Sequence, residues 1–186
     1  MRSEVLLIPG LVLLLIWSAA AWDLRSRRIP NVLVMAGAAT GILLHGVLAG
    51  FGGVLAALSG LAVGLLILLP GYLFGSTGAG DVKLMAAVGS FLGVNGVFLA
   101  GLASIAAGGL IALGFAGSAL FSSASISPWA RYGLMFKTLV TTGRPIYIAP
   151  VKGEVMGRKF PFAVSIALGT TGILFWQAST VAGVTS

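Results

Sequence analysis

The chain has 186 residues, of which 58% are hydrophobic and 8% are charged, and it carries a formal charge of +7 and no cysteine. Soluble domains carry about 25% charged residues, so the composition excludes a soluble globular enzyme, and its hydrophobicity excludes a disordered chain. A membrane-embedded domain remains, in which excess Lys and Arg reflects orientation more often than nucleic-acid binding. We therefore expect no nucleic-acid partner.

Six apolar stretches follow one another along the chain, each close to the roughly 20 residues that a membrane helix needs. Their continuous hydrophobicity favours helices over the alternating strands of a membrane barrel. The predicted fold is all-α: a polytopic membrane protein with about six transmembrane helices in a single domain over residues 1–186. Turns of small residues are predicted near residues 46–53 and near Gly101. The predicted spans are residues 5–22, 32–49, 54–74, 84–100, 102–121 and 160–181.

The basic residues predict the orientation of these spans. Except for Arg2, they follow span one, begin span four or lie between spans five and six. Because cytoplasmic segments carry excess Lys and Arg, those three regions should face the cytoplasm and both termini should lie outside. A cleavable signal sequence is the alternative for span one, but its removal would leave arginines at a translocated terminus. The cytoplasmic loop is predicted at about residues 122–159, with residues 129–140 forming either an interfacial helix or an ordinary tethered segment.

Pairs of glycines four residues apart recur within the spans, and each pair places two small surfaces on one helix face. We interpret them as sites of close helix packing. The pairs are Gly37 and Gly41, Gly60 and Gly64, Gly71 and Gly75, and Gly89 and Gly93.

Two of the four acidic residues, Asp23 and Asp81, lie at the predicted cytoplasmic ends of apolar spans, whereas Glu4 lies on the other side and Glu154 in the polar loop. Acidic groups near a membrane core are costly and are functional candidates. Two carboxylates that meet in a partly dry site do not ionise together easily, and such a pair provides the acid and base of an aspartic protease without metal or cofactor. The single histidine, His45, lies near the outer end of span two, which disfavours a Ser-His-Asp triad.

The residues alone leave three other interpretations open. Asp23 precedes three arginines and Pro30, so it could pair with arginine in an anchored turn. A transporter or channel could use both aspartates to bind a cation or relay protons, although it would place them near the midplane on broken helices. A non-catalytic assembly subunit is the third.

Gly78 and Gly80 would let another backbone, such as an extended peptide substrate, approach Asp81 closely.

The segments Asp23-Leu-Arg-Ser-Arg-Arg-Ile-Pro-Asn31 and Gly78-Ala-Gly-Asp-Val-Lys-Leu84 together resemble the two active-site motifs of the type IV prepilin peptidase family. Residues 160–169 resemble the last span of that family. The resemblance implies a multi-pass aspartic protease of the bacterial inner membrane, in contact with membrane lipids, that cuts a prepilin leader at the cytoplasmic face. It implies Asp23 and Asp81 as the catalytic pair. It also implies substrate-binding residues, which are Gly78, Gly80, Lys83, Pro30 and Asn31.

Longer members of the family carry a four-cysteine insertion that binds zinc, and they also methylate the new amino terminus. This chain has no cysteine and no room for the insertion between Asp23 and Asn31. It resembles the short form associated with tight-adherence (Flp-type) pili, which implies that methyl transfer is absent. Presenilin and signal peptide peptidase share the Gly-x-Gly-Asp element but match less well, because Trp22 stands where they have tyrosine. The sequence does not indicate an oligomeric state.

Overall fold

The computed structural model describes residues 2–73, 77–120, 137, 141 and 162–184. These residues form helices and turns and no strand, so the all-helical prediction is confirmed for this part of the chain. Within these described residues, four helices are each long and apolar enough to cross a membrane. They are α1 (Arg2–Ser26), α2 (Asn31–Leu73), α3 (Ala79–Leu120) and α4 (Phe162–Val184).

Helix α2 is broken at Gly50, where φ is 60° and ψ is −146°. Glycine adopts such torsions readily because it has no Cβ. The two segments lie side by side next to the break: Val54 contacts Gly46, and Gly53 faces the backbone carbonyl of His45. Residues eight apart in a straight helix are about 12 Å apart, so the chain turns back at Gly50. This position lies within the predicted junction at residues 46–53.

Helix α3 is broken at Gly93, where φ is 66° and ψ is −174°. Met85 contacts Gly64 of α2, and Gly101 contacts Ile67, less than one helical turn further along α2. Met85 and Gly101 therefore lie at similar levels on either side of the break, so the chain turns back here as well. The predicted junction near Gly101 is wrong, because α3 is helical through that residue. Gly93, rather than Gly101, supplies the positive φ that the reversal requires.

The number of membrane crossings, predicted as six, and the side on which each terminus lies both stay predictions. The observed helices nevertheless follow the predicted first and last spans closely. Span one was expected at residues 5–22 and lies within α1, and the last was expected at residues 160–181, against Phe162–Val184 for α4.

The first of two compact units comprises Met1–Gly108 and Pro161–Ser186. In it α1 packs against both α2 and α4. Its core consists mainly of small and medium-sized apolar side chains, with Phe91 as a buried aromatic residue, and the small residues let helices approach closely. The fully buried members include Val12, Ile16 and Ala19 of α1, Leu84, Met85 and Val88 of α3, and Ile166 and Ala167 of α4.

Glycine brings the α2 and α3 backbones into contact. A Cβ added to Gly60 would collide with the carbonyl oxygen of Gly89, one added to Gly89 would collide with that of Gly60, and one added to Gly64 would meet the carbonyl oxygen of Met85. Elsewhere, Gly41 lies against Ser90 of α3. The predicted packing role is confirmed at these glycines. Gly93 serves as the break, and Gly75 lies outside the described residues.

The second compact unit is Gly109–Phe160, described at residues 109–120, 137 and 141. Lys137 and Thr141 are helical, and the Thr141 hydroxyl donates to the Lys137 carbonyl at 2.8 Å. Apart from these two residues, the predicted cytoplasmic loop and its interfacial helix lie outside the described residues. The interpretation of the chain as a single domain stays a prediction.

Candidate active site

Asp23 lies in the last turn of α1. The helix ends at Ser26, and the backbone N–H of Arg27 donates to the carbonyl of Asp23 at 2.8 Å. Arg27 has φ of 52°, which makes it the left-handed residue that commonly follows a helix end. The Ser26 hydroxyl contacts the carbonyl oxygens of Trp22 at 2.9 Å and Arg28 at 3.1 Å. These bonds define the turn that follows Asp23.

Arginine is an unusual choice at this position. Among the described residues, Arg27 is the only one other than glycine with a positive φ. A side chain in the left-handed conformation costs about 1–2 kcal/mol, so glycine or asparagine normally occupies such sites. The Arg27 guanidinium acts electrostatically on the Asp23 carboxylate. The position therefore carries a strained backbone together with a positive charge beside a candidate catalytic group.

Asp81 lies in the first turn of α3. The Gly78 carbonyl accepts hydrogen bonds from the N–H groups of Asp81 at 3.1 Å and Val82 at 3.3 Å. In return, the Gly78 N–H donates to Oδ2 of the Asp81 carboxylate at 3.0 Å. This is one half of a capping box, in which the side chain of the third helical residue accepts a hydrogen bond from the N–H of the residue that precedes the helix. The cap orients Asp81, whose residue surface is only 8% exposed.

Asp23 and Asp81 are brought together across the two helix ends. Their carboxylates interact electrostatically. Asp23 is half-buried and Asp81 is buried. The arrangement can hold two carboxylates at one partly dry position, although their catalytic role stays a prediction.

The turn between α1 and α2 packs onto the start of α3. A Cβ added to Gly80 would lie 3.3 Å from Cβ of Ile29 and 3.4 Å from its Cδ1. Ile29 thus occupies the space that the sequence analysis assigned to a substrate backbone at Gly80. At Gly78, which is exposed, an added Cβ would lie 3.1 Å from Oδ2 of Asp81. Sequence reasoning missed Ile29, because no local pattern pairs it with Gly80.

Lys83 and Asn31, both predicted to bind substrate, are hydrogen-bonded to each other. The Lys83 Nζ donates to Oδ1 of Asn31 at 3.1 Å, and both residues are exposed. The carbonyl oxygen of Pro30, which was also predicted to bind substrate, accepts a hydrogen bond from the Val34 N–H at 3.4 Å, directly before α2 begins at Asn31. The sequence contained both motif residues but no signal that they contact each other.

His45 bonds to the backbone of α3. Its Nε2 lies 2.9 Å from the carbonyl oxygen of Phe91, two residues before the break at Gly93. Backbone groups freed at a break in a membrane helix need partners, and His45 supplies one. Phe91 lies near the end of the helical segment 79–92, whereas Asp81 lies near its start. The interpretation of His45 as a packed residue rather than a catalytic one agrees with this contact.

Within the described part of the chain, no group of three or more His, Cys, Asp or Glu residues forms a metal site. Independence from metal and cofactor remains an expectation for activity measurements to decide.

Comparison with known proteins gives one match. Residues 10–113 match the family model of the type IV leader peptidase family. This stretch is more than half of the chain and contains both aspartates with the residues around them, while α4 lies beyond it. No curated protein and no solved structure matches the chain.

Proposed function

The chain belongs to the type IV leader peptidase family, and from that premise we propose that it is an aspartic endopeptidase of the bacterial inner membrane. Its proposed substrate is an Flp-type prepilin, cut between leader and mature protein at the cytoplasmic face. The family supports aspartic peptidase activity on a prepilin. The single observation that carries the assignment of the site is the packing of Ile29, in the turn after Asp23, against Gly80, the residue before Asp81.

The two carboxylates suffice for peptide hydrolysis. One carboxylate takes a proton from a water molecule, and the water oxygen attacks the carbonyl carbon of the scissile peptide bond. The other carboxyl, which is protonated, donates to the carbonyl oxygen, and a tetrahedral diol forms. Proton transfer to the amide nitrogen then breaks the C–N bond and regenerates the pair. Because the pair shares its protons, acid and base roles belong to both residues together.

The contacts of Asp81 suit this chemistry. Its Oδ2 is engaged by the Gly78 N–H, and no other described residue is seen to donate to the carboxylate. The second oxygen therefore remains for water or substrate, in an orientation set by the helix cap. Asp23 lies in the last turn of α1, directly before the turn that carries the positive charge of Arg27.

Charge supports the proposed cytoplasmic location. Arg25 is exposed in the last turn of α1, Arg27 and Arg28 are exposed in the turn that follows, and Lys83 is exposed near Asp81. Basic residues at a helix end attract anionic lipid headgroups, which are the proposed lipid contacts. The absence of cysteine supports a short peptidase without methyl transfer.

A transporter is the second candidate, because two aspartates could bind a cation or relay protons. It would place them near the midplane on broken helices, whereas Asp23 and Asp81 lie in the last turn of α1 and the first turn of α3. Their position favours the peptidase. A non-catalytic assembly subunit would not require a carboxylate pair.

The test is replacement of each carboxylate by its neutral isostere. Asp23→Asn and Asp81→Asn should each reduce cleavage of a co-expressed Flp-type prepilin by at least about 10²–10⁴-fold, the usual contribution of a general acid or base. Since the two act as a unit, the double variant should be little worse than either single variant. An immunoblot of precursor and mature pilin measures the result.

The matched controls are Glu4→Gln and Glu154→Gln, which neutralise the other two acidic residues of the chain. Both should process prepilin at close to the normal rate. Near-normal processing by either aspartate variant, at a normal protein level in the membrane, would contradict the peptidase assignment and favour the transporter or the assembly subunit.

A further inference from the structure

We propose that Lys83 and Asn31 are positioning residues, whose hydrogen bond holds the first turn of α3 against the start of α2 and thereby sets the separation of Asp23 and Asp81. The inference rests on the proposed peptidase function, since it concerns the geometry of that site. It replaces the sequence-based interpretation of these two residues as substrate-binding groups.

Their places in the chain put this bond across the site. Asn31 is the first residue of α2 and closes the turn that follows Asp23, while Lys83 lies two residues after Asp81 in α3. The bonded residues are 52 positions apart in the chain. The bond therefore joins the two segments that carry the carboxylates.

Each aspartate has a local hydrogen bond within its own segment, to the backbone of Asp23 and to the side chain of Asp81, but neither bond links the two segments. Asp23 is held through the bond from Arg27 to its carbonyl, and Asp81 through the bond from Gly78 to its side chain. Repulsion opposes their approach whenever both carboxylates are ionised. The distance between the carboxylates therefore depends on the core that α1 and α3 share and on the contacts between the turn and α3.

Two described contacts serve this purpose, one on each side of Asp81. The apolar contact joins Ile29 to Gly80, and the polar contact joins Asn31 to Lys83. The lysine ammonium also makes its hydrogen bond stronger than one between neutral groups. Because the bond is exposed, we expect it to adjust the geometry of the site rather than to determine whether the protein folds.

Kinetics separate positioning from substrate binding. Lys83→Met and Asn31→Leu should each lower kcat about tenfold, equivalent to about 1.4 kcal/mol, with KM little changed. The double variant should lose no more than either single variant, because both remove the same bond. Lys83→Arg and Asn31→Asp keep a donor and an acceptor and should recover most of kcat. Lys137→Met, which removes a lysine far along the chain, is the matched control.

A second measurement needs no substrate. The chain has no cysteine, so Ile29→Cys with Gly80→Cys introduces a single pair of thiols. Their Cβ atoms would lie 3.3 Å apart, close to the roughly 3.5–4.5 Å of a disulfide. Oxidation should cross-link the pair, as measured by loss of maleimide-polyethylene glycol labelling. Adding Lys83→Met should slow the cross-linking about tenfold, whereas adding Lys137→Met should not.

The outcomes distinguish this inference from the function on which it rests. If the unmodified chain cleaves prepilin but Lys83→Met and Asn31→Leu act additively, or raise KM alone with cross-linking unchanged, the positioning role is overturned. If instead the Asp23→Asn and Asp81→Asn variants cleave normally, the peptidase function fails. The cross-linking rates then still decide whether the Lys83–Asn31 bond holds the two segments together.

Discussion

Asp23 and Asp81 carry the same side chain, yet they are held at opposite ends of their helices. Asp81 is in the first turn of α3, where unpaired N–H groups favour a carboxylate, and one of its oxygens binds the Gly78 N–H. Asp23 is in the last turn of α1, where unpaired carbonyl groups disfavour a carboxylate, and the nearby positive charge comes from Arg27. One aspartate is thus supported by its own helix, and the other by the turn after its helix.

This difference indicates that the pair has two separable supports. Changes at the cap of α3 should act on Asp81 and on folding together, because the cap is part of the helix. Changes in the turn after α1 should act on Asp23 with less effect on folding. Contacts between the turn and α3 should affect both carboxylates at once.

The largest effect is expected where the two supports touch. In Gly80→Val, the new Cβ would lie 3.3 Å from Ile29 and the valine methyl groups would extend beyond it. Overpacking of this kind costs about 1–3 kcal/mol, and here it would push the turn away from Asp81. We expect prepilin cleavage to fall by about 100-fold or more, since displacements of about 1 Å cost that much.

Size compensation provides the check. Adding Ile29→Ala to Gly80→Val should recover part of the activity by making room for the valine. Gly109→Val is the matched control in α3, because no described atom lies within 4 Å of a Cβ added there. Equal losses in Gly80→Val and Gly109→Val would show that the contact with Ile29 is unimportant. The measurement is the ratio of mature to precursor pilin at matched enzyme level.

A smaller effect is expected at Arg27. Arg27→Gly relieves a backbone with φ of 52° and should stabilise the protein by about 1 kcal/mol. It also removes the charge beside Asp23, so cleavage should fall by up to about fivefold, as an exposed charged neighbour is worth up to about 1 kcal/mol. Arg27→Gln should lose the same activity without gaining stability. The two variants thus separate the strain at this position from its charge.

Unfolding in detergent, followed by tryptophan fluorescence, measures the stability of these variants, and prepilin cleavage measures their activity. Arg25→Gln is the comparison, because it removes a neighbouring charge from the last turn of α1 and should reduce cleavage less. If Arg27→Gly retained full activity, the electrostatic support of Asp23 by this residue would be disproved.

The smallest effect is a difference in stability between two inactive variants, Asp81→Ala and Asp23→Ala. Asp81→Ala removes the acceptor of the Gly78 N–H and should destabilise the protein by about 1 kcal/mol, the usual cost of losing a helix cap. Asp23→Ala removes no such bond and relieves a carboxylate at a helix end, so it should leave stability unchanged or slightly raised. Both variants should be inactive. Equal unfolding midpoints for the two would remove the distinction between their supports.

Much of the local structure could be predicted from the sequence. The apolar runs indicated the helices, and charged residues next to those runs placed Asp23 and Asp81 at helix ends, as observed. The spacing of Gly60 and Gly64 indicated a close helix contact, which they make with α3. These features depend on residues near one another in the chain, and for that reason the sequence pattern reports them.

The contacts that assemble the site could not be predicted in the same way. Ile29 meets Gly80 and Asn31 meets Lys83 only after α2 has turned back on itself. The break in α3 was expected near Gly101 and lies at Gly93, because a glycine-rich helix offers many positions able to turn and tertiary packing selects one. The left-handed Arg27 had no signal either, since glycine or asparagine usually marks such a position.

The reversal at Gly93 also limits how far the segment carrying Asp81 extends. At about 1.5 Å per residue, residues 79–92 form a helix roughly 20 Å long, whereas the hydrocarbon layer of a bilayer is about 30 Å thick. A segment that short produces hydrophobic mismatch, which lipids accommodate by thinning around it. Thinning would bring bulk water towards both carboxylates without a pore through the protein. The protein would then obtain its hydrolytic water by deforming the lipid around it, and its turnover would depend on acyl-chain length.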